Sequence, residues 1–170
     1  MGGVDNLCTL YDVTSGSVLR ELSSHDSYLS CCRFVRDEAT LLTSSGDSTC
    51  ILWDVGRGVP LAHFNDHAND VMSMAVSPTD VDVFVSGSSD ATAKVWDIRI
   101  GKSVCTFGGH DSDVSAVSFH SDGFMIASAS DDGGCRMFDM RCPFVLREFR
   151  SSQVVCGVSA VDFSKVRLPA

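Results

Sequence analysis

Residues 67–97 read HANDVMSMAVSPTDVDVFVSGSSDATAKVWD, and this stretch decides the fold. His67 opens it, Asp90 follows, and the pair Trp96-Asp97 closes it. The same constellation recurs at His25, Asp47 and Trp53-Asp54, and again at His110, Asp132 and Phe138-Asp139. A period of about 42 residues ending in an aromatic-Asp pair is that of a propeller blade, a four-stranded sheet that buries its faces against neighbouring copies.

Strand alternation recurs at the same offsets in each copy. The first copy predicts strands at Tyr28 to Phe34, Thr40 to Ser45, Thr49 to Asp54 and Pro60 to Asn65. The second predicts them at Val71 to Ser77, Asp82 to Ser88, Thr92 to Asp97 and Ser103 to Gly108. The third predicts Val114 to His120, Phe124 to Ser130, Gly134 to Asp139 and Phe144 to Arg150. Asp5 precedes Tyr11-Asp12 as Asp47 precedes Trp53-Asp54, so residues 1–22 read as a third and fourth strand only. Gly157 to Ser164 alternates like a first strand. The expected organisation is a half blade at 1–22, whole blades at 23–65, 66–108 and 109–150, a first strand within 151–165, and a non-repeating tail at 166–170. A four-bladed ring closed by 1–22 against Gly157 to Ser164 would lack one strand, so an incomplete larger ring is the expected all-β architecture.

The repeated polar residues invite a catalytic reading, because His, Asp and Ser together can form a hydrolase triad. Repetition argues against it: an enzyme needs one activated nucleophile beside one oxyanion site, whereas a repeated fold needs the same internal staple in every unit. The expected staple runs from His25, His67 and His110 through a second-strand hydroxyl to Trp53 and Trp96, with Asp47, Asp90 and Asp132 holding the imidazoles. Candidate hydroxyls are Thr43 or Ser45, Ser86 or Ser88, and Ser128 or Ser130, each pair sharing a face. Phe138 lacks an N–H, so the third network is expected to be shorter. Gly101-Lys102-Ser103 imitates the end of a phosphate-binding loop, but Trp96 stands where its first glycine belongs. No nucleotide, metal or other cofactor is expected. The eight cysteines contain no C-x-x-C pair, and most read as small buried hydrophobes.

No apolar run approaches the roughly 20 residues of a membrane-spanning helix, and the N-terminus lacks a basic region followed by an apolar core. The expected setting is cytoplasmic. With 13 basic against 22 acidic residues the net charge is −9, which disfavours nucleic acid as a partner. Asp26, Asp47, Asp66, Asp70, Asp90, Asp111, Asp113, Asp131 and Asp132 fall in loops that a propeller gathers on one face. Such a face suits a partner rich in Lys or Arg.

Several stretches are more specific than the repeat itself. Asp5-Asn-Leu-Cys, Tyr28-Leu-Ser-Cys-Cys-Arg-Phe, Ser44-Ser-Gly-Asp-Ser-Thr-Cys, Asp90-Ala-Thr-Ala-Lys-Val-Trp-Asp and Cys135-Arg-Met-Phe-Asp resemble the beta subunit of heterotrimeric G proteins, a WD-repeat family. The resemblance runs from Gly3 to about Lys165. It implies a seven-bladed WD-repeat propeller, of which this chain supplies three full and two partial blades, and a non-catalytic scaffold in receptor signalling. It implies contact with a GDP-loaded alpha subunit and with effectors through Val4, Asn6, Tyr28, Asp70, Met72, Ser89, Asp113, Ser115 and Asp131. Ser89 stands where several family members have Cys. The family's gamma-subunit contact lies mostly on an N-terminal helix and on first and last blades that these residues do not match, so gamma binding is not expected. The membrane would be reached only peripherally, at the inner face of the plasma membrane, through partners.

The alternative is a generic WD-repeat interaction scaffold, a peptide reader or assembly adaptor. A receptor for phosphorylated peptides would need an Arg cluster on a face that is instead acidic. A reader of basic tails would accept the acids without needing the Tyr28-Leu-Ser-Cys-Cys stretch.

Overall fold

A computed structural model describes residues 2–35, 38–150 and 156–164. Every regular element among them is an antiparallel β-strand. β1 (Leu7–Tyr11) and β2 (Val18–Ser23) form a two-stranded sheet. Three four-stranded sheets follow, each with its strands in chain order. The first holds β3 (Leu29–Val35), β4 (Thr40–Ser45), β5 (Cys50–Asp54) and β6 (Val59–Phe64). The second holds β7 (Val71–Val76), β8 (Val83–Ser88), β9 (Ala93–Asp97) and β10 (Lys102–Phe107). The third holds β11 (Val114–Phe119), β12 (Met125–Ser130), β13 (Gly134–Asp139) and β14 (Cys142–Arg150). The architecture is an incomplete propeller.

The repeat extends to irregularities. Between first and second strands the register shifts at Leu29/Cys31, Val71/Ser73 and Val114/Ala116. Bulges at equivalent sites add equivalent twist, and twist lets successive sheets fan around an axis instead of lying flat on one another.

What joins the sheets is a repeated apolar code. Leu42, Cys50, Leu52 and Phe64 of one sheet meet Val71, Met74, Phe84 and Trp96 of the next. One repeat on, Val85, Ala93, Val95 and Phe107 meet Val114, Val117, Ile126 and Phe138. One repeat back, Cys8, Leu22 and the half-buried Leu10 meet Leu29, Leu41, Trp53 and Cys32. Strand register enforces the code, since Cys8 pairs with Leu22, Cys50 with Phe64, Ala93 with Phe107 and Cys135 with Phe149.

Phe149 therefore belongs to a fourth such surface, with Ala127, Cys135 and Met137. Phe64 and Phe107 are 1% exposed, whereas Phe149 is 51% exposed. Residues 156–164 run beside β11, with the Val158 N–H on Ser130 O at 2.9 Å and the Ser115 hydroxyl on Val158 O at 2.5 Å. The alternation had suggested a strand at Gly157 to Ser164, but none forms there. Alternating side chains do not make a strand without a ladder, and these described residues gain individual bonds to the third sheet in place of one. Residues 151–155 and 165–170, which the expected first strand and tail also include, lie outside the described residues.

Phe107 and Phe149 are chemically identical probes of buried and open faces. Phe107→Ala should lower unfolding stability by about 3 to 5 kcal/mol, the usual cost of a large core truncation, and Phe149→Ala by under about 1 kcal/mol. Urea titrations followed by far-ultraviolet circular dichroism would compare them, and equal losses would contradict the code.

Candidate partner-binding face

Each complete sheet is threaded by one polar chain. In the first, His25 Nδ1 lies 2.7 Å from Asp47 Oδ2, His25 Nε2 lies 2.8 Å from Thr43 Oγ1, and the Trp53 indole N–H reaches the same Oγ1 at 2.8 Å. In the second, His67 meets Asp90 at 2.8 Å and Ser86 at 2.7 Å, and Trp96 donates to Ser86 at 2.7 Å. An indole only donates, so the hydroxyl oxygen accepts from it. A carboxylate only accepts, so Nδ1–H donates to it.

The other hydroxyl of each sequence pair has a separate task. Ser45, Ser88 and Ser130 donate to the carbonyls of Ser27, Asn69 and Ser112 at 3.1, 3.0 and 3.1 Å. These carbonyls immediately precede Tyr28, Asp70 and Asp113. The same three oxygens accept the N–H groups of Asp47, Asp90 and Asp132. One serine per sheet thus ties the network aspartate to the loop that carries a candidate contact residue.

The third sheet departs from the expected shortening. Phe138 removes the indole donor, and His110 still meets Ser128 at 2.6 Å and Asp132 at 2.9 Å. Arg136, at the repeat position of Ile51 and Lys94, is buried and bonds Asp132 at 2.7 Å and Glu148 at 3.1 Å while abutting His110 Nδ1. The network is extended at its acidic end instead of merely truncated. Sequence reasoning missed Arg136 and Glu148, although an Arg among apolar third-strand residues was the available signal.

Charge and burial set the titration of these groups. Burial alone would raise the carboxyls of Asp47, Asp90 and Asp132. Donors outweigh it: the neighbouring histidine in each case, the Thr49 or Thr92 hydroxyl, Arg136 for Asp132, and loop N–H groups hold all three below the usual carboxylate range. Burial depresses His110, with Arg136 adding to the effect and Asp132 opposing it.

Around these anchors lie the nine contact candidates. The Tyr28 hydroxyl donates to Asp70 Oδ2 at 2.8 Å and touches Met72 Sδ at 3.7 Å, spanning two sheets. That bond, burial and the charges of Asp70 and Asp113 raise the Tyr28 phenol. Ser89 N–H bonds Asp70 O at 2.9 Å and Asp131 N–H bonds Asp113 O at 3.0 Å, coupling the two loop types backbone to backbone. Gly46 holds the equivalent place beneath Tyr28, and a Cβ there would meet the ring at 2.3 Å. Val4 is 93% exposed, and Asn6 turns with φ 65°. Their loop is fixed beside Tyr28 because Leu29 N–H bonds Gly3 O at 3.1 Å. Ser115 is half-buried, its hydroxyl committed to Val158 O. Among the described residues, Asp26, Asp70, Asp111, Asp113 and Asp131 form no ion pair with Lys or Arg, whereas Asp66 pairs with Lys94 at 3.1 Å. No group of three or more His, Cys, Asp or Glu among the described residues is arranged to hold a metal ion.

An incomplete propeller of repeated His, hydroxyl and Trp networks, with an acid-rich loop face at one end, is a WD-repeat scaffold. The family model for G protein beta WD-40 repeat proteins matches residues 1–168, and the chain belongs to that family. It is 43% identical to guanine nucleotide-binding protein subunit beta-5b of Danio rerio over 170 residues, 96% of this chain and 43% of that protein. It is 39% identical to the subunit beta of Zea mays over 182 residues, 96% of this chain and 48% of that protein. A subunit beta of Dictyostelium discoideum is 53% identical over 89 residues, half of this chain and a quarter of that protein. The chain thus spans less than half the length of these relatives. Among the described residues no helix is long and apolar enough to cross a membrane.

Trp96→Phe keeps the ring and removes its N–H, leaving Ser86 without its donor. A loss of about 1 to 3 kcal/mol is expected, read by urea unfolding.

Acid should loosen the fold in two windows. His110, depressed when folded, contributes stability that is full above its ordinary value of 6.5 and is lost as pH falls below it. Asp90 and Asp132, also depressed, contribute stability present above 3.8 and lost as pH falls toward their folded values. Asp90→Asn should flatten the second window of a stability-versus-pH titration, and an unchanged profile would refute the assignment.

Proposed function

We propose that the chain is a non-catalytic signalling scaffold whose loop face receives the basic switch surface of a GDP-loaded G-protein alpha subunit, and effectors at other times. The observation that carries this reading is the bonded cluster of Tyr28, Asp70 and Met72, flanked by Asp113 and Asp131. Tyr28 and Met72 supply half-buried apolar area, and the aspartates supply charge with no Lys or Arg among the described residues engaged to them. Apolar anchors ringed by charge suit a reversible contact.

The mechanism is sharing of one surface. Alpha subunit covers the face while GDP-bound; nucleotide exchange remodels its switch segment, weakens the shared contacts and frees the face for effectors. The repeated His, Asp and hydroxyl sets take no part in chemistry. Each is buried and saturated by its own sheet, so none presents an activated oxygen to a substrate. The scaffold resides in the cytoplasm and reaches the membrane only through partners, with no nucleic acid or cofactor involved.

Asp70→Lys and Asp113→Lys should each weaken binding of purified GDP-loaded alpha subunit by about 1 to 3 kcal/mol, roughly 5- to 150-fold, in a calorimetric titration. Unchanged affinity would sink this assignment. Binding of basic peptides to the same residues, indifferent to the nucleotide on alpha subunit, would favour the generic reader instead.

A further inference from the structure

Three turns on the loop face share one backbone frame. Gly46, Ser89 and Asp131 occupy the same repeat position, and each donates its N–H to a loop residue of its own sheet: Tyr28 O at 3.0 Å, Asp70 O at 2.9 Å and Asp113 O at 3.0 Å. The side chains above that frame differ. Where the second and third sheets carry Ser89 and Asp131, the first carries no side chain, and the Tyr28 ring takes the space. A Cβ on Gly46 would lie 2.3, 2.8 and 2.9 Å from ring atoms Cε1, Cζ and Cδ1, whereas carbon atoms pack best at about 3.5 to 4.0 Å.

The backbone does not require glycine here. The φ of Gly46 lies outside the left-handed region, and the equivalent Ser89 and Asp131 make the same bond with a Cβ in place. What the glycine permits is the path of the ring. Lying over Gly46, Tyr28 reaches the next sheet, donates to Asp70 Oδ2 at 2.8 Å and meets Met72 Sδ at 3.7 Å. A Cβ would press on three ring atoms at once, so the ring would have to lift as a body. The phenol would then leave Asp70, because a hydrogen bond weakens steeply as its distance and angle are lost.

We propose that Gly46 is a positioning residue of the partner face: by leaving its place empty it lets Tyr28 lie across to Asp70 and Met72, joining two sheets into one contact surface. Its consequence for binding rests on the proposed function; the placement of Tyr28 rests on the geometry alone. The third sheet makes the same trade in reverse. Asp131 fills its own turn position, and the residue facing it from the next segment is Gly157, where a Cβ would lie 2.6 Å from Asp131 Oδ1 and 2.8 Å from Asp131 Cα. At both boundaries a glycine faces the side chain that fills the gap.

The chain has two tyrosines, Tyr11 and Tyr28, so tyrosine labelled at a ring carbon gives two NMR signals, and Tyr11→Phe assigns them. The Asp70 bond, burial and the charges of Asp70 and Asp113 raise the Tyr28 phenol. In the full chain, Gly46→Ala should lower the midpoint of its titration toward the ordinary value; an unchanged midpoint would overturn the proposal. Gly46→Ala should also weaken binding of GDP-loaded alpha subunit roughly tenfold in calorimetry. In a Tyr28→Ala background it should change nothing further, since the ring it displaces is gone, and an added loss there would count against the role. A lowered midpoint with unchanged affinity would overturn the partner reading and leave the placement of Tyr28 standing. If Gly46→Ala failed to fold, adding Tyr28→Ala should restore the fold, and an unfolded double variant would show that the backbone itself needs glycine, overturning the proposal.

Discussion

An imidazole buried between two sheets cannot leave either nitrogen unpaired, and this requirement organises the molecule. Each histidine needs an acceptor for Nδ1–H and a hydrogen-bond partner for Nε2, and an unpaired polar atom there would cost a sizeable part of a small domain's stability. Asp47 and Thr43, or Asp90 and Ser86, meet both needs at 2.7 to 2.8 Å. Satisfying them fixes the loop before the first strand against the turn after the second. Because Ser45, Ser88 and Ser130 bond both the network aspartate and that loop, the interior staple also sets the geometry of the surface.

Such sheets are incomplete as units. Trp96 spans both roles, its N–H closing the internal network while its ring stacks on Phe84 at 5.9 Å and meets Phe64 of the preceding sheet edge-on at 5.6 Å. The aromatic of the aromatic-Asp pair therefore couples order within a sheet to stacking between sheets. Phe138 keeps the second role, stacked 4.7 Å from Phe107, and Arg136 takes up part of the first. Separation of the two roles explains why a Phe is tolerated at that position.

The repeat, the strand count in each complete sheet and the network were legible because they rest on spacing, and spacing survives in a one-dimensional reading. Gly157 to Ser164 misled because alternation reports which side chains could face a core and not whether a ladder partner exists. The third network misled because a lost donor is visible in Phe138, whereas its substitute, Arg136, lies two residues earlier on the same face and joins Glu148 on another strand. The loop face was legible as a set of aspartates, yet the bond from Tyr28 to Asp70 depends on how one sheet sits on the next.

The buried aspartates also shape the field of that face. Asp47 and Asp90 are held ionised against their burial by the neighbouring histidines and by hydroxyl and N–H donors. Asp132 is stabilised by a guanidinium as well, one it shares with Glu148. Aspartates with no described Lys or Arg bonded to them lie along the whole arc, Asp26 and Asp70 beside the first two complete sheets and Asp111, Asp113 and Asp131 beside the third. An approaching cation is drawn to this arc of carboxylates, within which Tyr28 and Met72 supply the apolar anchors.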